Sequence, residues 1–73
     1  MKELEFTIVL EREDDGRYTA ICPSLPGCYT QGDTADEARE MIKDAIRLHM
    51  EERIANNEPA PKEVEIDSVR IAI

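Results

Sequence analysis

The sequence predicts an α+β two-layer sandwich of order β-β-β-α-β: an antiparallel meander, one long helix laid across it, and a final strand. Three observations carry the prediction. Residues 4–11 alternate between apolar and polar side chains. Residues 18–32 read as a strand, a proline-fixed turn and a second strand, and Thr34 opens a capping box that leads into a helical apolar stripe. The 73 residues are expected to form one domain, 1–73.

Along residues 4–11, Leu4, Phe6, Ile8 and Leu10 share one face, and Glu5, Thr7, Val9 and Glu11 share the other, which is the two-residue period of a half-buried strand. The first set is expected to meet the core. Thr7 and Val9 leave the opposite face only partly polar, so a helix can cover one side and a partner the other. Glu13-Asp14-Asp15-Gly16 is a turn signal in which Asp-Gly is the favoured two-residue hairpin dipeptide. The chain should then return antiparallel through residues 17–22.

The stretch from Tyr18 to Gly32 holds the most shaped loop of the chain. Pro23 and Pro26 each remove a backbone donor and fix φ, so the ladder cannot run through them. Gly27 after Pro26 is the order of a type II turn, which needs positive φ at its third residue. Leu25 is therefore expected on a stiff loop, exposed and placed to touch a partner. Residues 28–31 make a short third strand.

Thr34-Ala35-Asp36-Glu37 is a capping box: the Thr34 hydroxyl can accept from the Glu37 amide while the Glu37 carboxylate reaches back. Ala38, Met41, Ile42, Ala45, Ile46 and His49 recur at three- and four-residue spacing, and Leu48 and Met50 widen that stripe. Acidic residues stand in the first turns, and Arg47 and Arg53 toward the end, in the sense that suits the helix dipole. Asn56-Asn57, with Pro59 and Pro61 behind, ends the helix. Val64 and Ile66 alternate, then Val69, Ile71 and Ile73 alternate on the other parity. A last strand with a bulge, joining the sheet near residues 66–72, would account for the slip.

Seventeen acidic against nine basic residues give a formal net charge of −8. On so small a body that field repels phosphate backbones, which disfavours direct nucleic-acid binding, and it favours encounter with a basic protein. Nothing reads as a signal peptide or a membrane span, so a cytoplasmic protein is expected. A chain this short buries a small share of its surface, which makes a homodimer or higher homo-oligomer a live expectation.

Catalytic and metal chemistry are poorly provided for. Asp14 and Asp15 sit at a hairpin tip, and Asp36, Glu37 and Glu40 are occupied by the cap and the dipole, so carboxylates do not converge as a two-metal nuclease requires. Cys22 and Cys28 admit a disulfide, a metal pair or two small buried hydrophobes, the last being the default in a chain without an export signal. With His49 as the one histidine, a zinc site lacks ligands, and neither cysteine has an evident activating base. No enzyme, cofactor or metal is expected.

Tyr18, the Pro23-Ser24-Leu25-Pro26-Gly27-Cys28 run, Gln31-Gly32-Asp33-Thr34 and Glu37-Ala38, read together in this order, resemble the HicB family of antitoxins. The resemblance covers nearly the whole chain. It implies a partial ribonuclease-H-like fold and a domain that binds and masks a small basic HicA-like toxin, an RNA-cleaving protein. The residues it carries over as partner-binding are Tyr18, Pro23, Leu25, Pro26, Gly27, Cys28 and Gln31. Fuller members continue into a C-terminal DNA-binding domain, which this sequence does not show, so the likeness is to the short, stand-alone members. The alternative is an oligomeric adaptor or regulatory protein without a toxin partner.

Overall fold

The structure, a computed structural model, describes residues 3–73. Three strands, β1 (Val9–Arg12), β2 (Tyr18–Ile21) and β3 (Tyr29–Gly32), form an antiparallel sheet in the order β1-β2-β3, and one helix, α1 (Ala35–Ala55), follows. The α+β class and the meander agree with the sequence. In register, Leu10 faces Ala20 and Ala20 faces Thr30, whereas Val9 faces Ile21 and Ile21 faces Tyr29. Because side chains alternate along a strand, these two rows lie on opposite faces.

The inner row meets α1. Ala20, Cys22, Leu25, Cys28, Ala38 and Ile42 are buried and form the core, with Phe6, Ile8, Leu10, Tyr18, Ala45, Ile46 and Met50 packed around them. Thr30 donates from its hydroxyl to the Ala38 carbonyl at 3.2 Å, tying β3 to the helix. Gly32 lies close against the first turn of α1: a Cβ there would lie 2.7 Å from the Ala38 amide nitrogen. The helix begins as its cap predicts, with the Glu37 amide donating to the Thr34 hydroxyl at 3.1 Å. The Glu37 carboxylate reaches back one residue further than a standard box, to the Asp33 amide at 3.4 Å.

Its end is a Schellman motif. Glu58 donates to the Arg53 carbonyl and Asn57 to that of Ile54, with Asn57 at φ 55. Met41 and Leu48, expected on the buried stripe, are exposed at 42% and 64%. The short sheet is narrower than the stripe drawn from spacing alone, so it covers Ala38 and Ile42 and leaves the flanks in water.

Three further expectations are corrected. The first strand does not begin at Leu4: β2 runs only to Ile21 before Cys22 turns into the proline loop, so residues 3–8 have no ladder partner among the described residues. At the first hairpin, Gly16 donates to Glu13 and Glu13 to Arg17, and positive φ falls on Gly16 and not on Asp14 or Asp15. That is a three-residue loop with a glycine bulge, not a two-residue Asp-Gly turn. Finally, the last strand expected near residues 66–72 is not seen: residues 58–73 form no strand, and among the described residues the sheet has three. Lys62 donates to the Ser24 carbonyl at 3.3 Å, and beyond Val64 every residue is exposed.

Candidate functional site: the open face of the sheet

One face of the sheet is covered by α1, and among the described residues no helix or strand packs on the other, the bare face, where Thr19 is nonetheless buried between its neighbours in the sheet. Val9, Glu11, Thr19, Ile21, Tyr29 and Gln31 fall on the bare face by register. Val9 and Ile21 are half-buried, while Tyr29 stands 64% exposed at their end. The Gln31 side-chain amide donates to the Thr19 hydroxyl at 3.4 Å across the β2–β3 pair. This row is apolar at one end and polar at the other, the mixed surface that protein contacts favour, with an aromatic at its exposed edge.

The proline loop borders the apolar end. It is two consecutive turns on a closed base: Leu25 donates to the Cys22 carbonyl at 3.1 Å, Cys28 to that of Leu25 at 3.0 Å, and Cys22 to that of Cys28 at 3.0 Å. Pro23 and Pro26 occupy the second position of each turn, where fixed φ suits it. Gly27 has φ +83, as the type II reading of Pro26-Gly27 requires. The loop is thus rigid by construction, and it borders a hollow of about 350 Å³ whose lining includes Thr19, Ile21, Pro23, Pro26, Gly27 and Tyr29.

The seven residues singled out from the sequence divide in the structure. Pro26, Gly27 and Gln31 are exposed and Pro23 is half-buried, and these share the bare face and its rim. Leu25, expected to project, is 0% exposed and is the largest fully buried side chain. Two turns in succession fold the loop back on itself, so the residue between them points into the core. Cys28 is buried in the same core, and Tyr18, on the inner row, packs against it. Tyr29 and Ile21 were not among the seven. Their parity opposite Ala20 and Thr30 was the signal, and it is readable only once strand register is known.

Both cysteines are free and buried. Burial, and secondarily the nearby Cys22, push the Cys28 thiol above its ordinary value of 9.0, which suits a packing residue and opposes a nucleophile. His49 is half-buried beside Cys28 and Tyr29, and its Nδ1 has no hydrogen-bond partner among the described residues. Among those residues no group of three or more His, Cys, Asp or Glu side chains is placed to hold a metal ion, and no helix is long and apolar enough to cross a membrane.

Comparison with known proteins bears on what this face is for. A UPF0150 protein of Synechocystis sp. is 52% identical over 58 residues, 80% of this chain and 73% of its own length. Another, from Thermoplasma acidophilum, is 40% identical over 60 residues, 82% and 87% of the two chains. Antitoxin HicB 1 of Photorhabdus laumondii is 36% identical over 61 residues, which are 84% of this chain but 39% of that protein. No solved structure matches. The model of the HicB-like antitoxins of bacterial toxin–antitoxin systems matches residues 6–72, nearly the whole sequence, and on that match the chain belongs to the HicB-like antitoxin family.

Proposed function

We propose that this chain is an antitoxin domain that binds a small, basic, HicA-like RNA-cleaving toxin and neutralises it by masking its active surface. The family match over residues 6–72 carries the reading. The chemistry of the chain supports it: a net charge of −8 draws a basic partner, and charge of that sign would also keep RNA away from a toxin so covered. The masking surface is the bare face, with Tyr29 as its aromatic anchor and Pro23, Pro26, Gly27 and Gln31 around it. The rigid loop lowers the ordering cost of association. Leu25, Cys28 and Tyr18 serve that surface from beneath by holding the loop and the ladder in place. The protein acts by binding, without catalysis of its own, and does so as a homodimer or higher homo-oligomer. Its architecture is read as part of a ribonuclease-H-like fold.

The reading frame beside this one is expected to encode a small basic protein, and binding of the two, measured by calorimetry at low and moderate salt, tests the reading. The expected result is tight association that weakens as salt rises, and a loss of about tenfold or more on Tyr29→Glu with the circular dichroism unchanged. Undiminished affinity of the variant removes the bare face from the interface.

A further inference from the structure

The end of the chain has the apolar alternation of a strand, and among the described residues it pairs with no strand. Ile66, Val69, Ile71 and Ile73 are exposed at 63%, 83%, 73% and 118%, a run of large apolar side chains that an isolated soluble domain has no reason to hold in water. The segment is held only at its root, where Lys62 bonds Ser24 and residues 61–65 lie beside Leu4–Thr7. The Cα radius of gyration, 14.2 Å, exceeds the roughly 11 Å expected of a compact chain of this length, and the longest dimension is 46 Å.

A matching vacancy lies elsewhere on the same molecule. The helix packs on β3 and β2, and beside β1 it leaves an apolar groove of about 820 Å³ lined by Phe6, Ile8, Ile42, Ile46 and Met50 among others. Strand β1 is an outer strand of the sheet, so its backbone groups on that side have no ladder partner among the described residues. Arg39, Lys43 and Arg47 stand along the helical wall of the groove, each already paired with a carboxylate of its own helix, Asp36, Glu40 and Asp44, and Glu3 and Glu51 line the groove as well, so the match between groove and segment is apolar and not one of charge. The segment thus has the apolar pattern and the strand-like backbone that the groove and the open edge can take up.

We propose that residues 65–73 of one copy add as a strand to the β1 edge of a second copy and bury Val69, Ile71 and Ile73 in its groove, the two copies exchanging ends reciprocally. Pro59 and Pro61, whose fixed φ sets the path out of the helix, form the stiff hinge that carries the segment away from its own body. The closed two-fold exchange fills both grooves and covers both open edges at once. The proposal specifies how the self-association suggested above is made, and it is independent of any toxin.

The test uses the intact chain. Light scattering gives the mass in solution, expected at twice 8.3 kDa. Isotope-labelled and unlabelled copies are then unfolded together, refolded and examined by isotope-filtered NOE spectroscopy. Contacts from the methyls of Val69 and Ile71 to Phe6 and Ile46 should appear between copies. Ile71→Asp should weaken self-association about tenfold or more while the near-ultraviolet dichroism of the core persists. A mass of 8.3 kDa overturns both self-association and exchange. A dimer in which those methyl contacts are absent, or arise only within one copy, overturns the exchange and leaves self-association standing.

Discussion

At Leu25 the physics of two turns overrides the expectation drawn from a single loop. A residue between two prolines looks presented to solvent, but the hydrogen bonds on either side of it bend the loop inward and give the core its largest fully buried side chain. Leu25→Ala should therefore act on stability and cost about 2–5 kcal/mol in denaturant unfolding, as deletion of a buried leucine does. A cost below about 0.5 kcal/mol would mean that the site is not core. Cys28 makes a second claim at this scale. Its thiol is raised in the folded state, so above pH 9.0 the unfolded chain ionises first and stability falls as pH rises toward the folded value. A thiol-blocking reagent at pH 8 should label Cys22 and Cys28 only as fast as the chain opens, and rapid labelling of the native protein would contradict their burial.

Among the elements, the helix was legible in the sequence almost to the residue, because its signals are local: Thr34 and Glu37 at the start, Asn56 and Asn57 at the end. The Pro26-Gly27 turn was legible for the same reason. The strands were less so. Alternation in residues 4–11 placed Phe6, Ile8 and Leu10 against the core, yet it could not tell that β2 would offer only four partners and shorten the ladder. Nor could it place the bare face, since Tyr29 and Ile21 become neighbours only through register. Gly32 is the contact between elements that spacing did not disclose. Gly32→Ala would push a methyl into the backbone of the first turn of α1, and we expect a loss of about 1–3 kcal/mol with strand and helix content retained. A neutral effect would show that β3 and α1 are free to separate.

For the whole molecule, composition spoke more clearly than pattern. Among the described residues six hydrophobic side chains form the buried core, a small core for a chain bearing a net charge of −8. The apolar alternation after Pro61 was visible, but it did not disclose that the segment would stay out of the sheet of its own chain, because a strand pattern says that a segment seeks an edge without saying whose. Membership of the HicB-like antitoxin family rests on the whole string and not on any one motif. The most direct measurement is RNA cleavage by the small basic protein that the account expects the neighbouring frame to encode, titrated with this chain at fixed ionic strength. Cleavage should fall to background near equivalence and return, in part, as salt is raised or when Tyr29→Glu replaces the natural chain. Cleavage that continues unchanged at saturating chain, or a neighbouring frame that encodes no basic protein, would contradict the antitoxin reading.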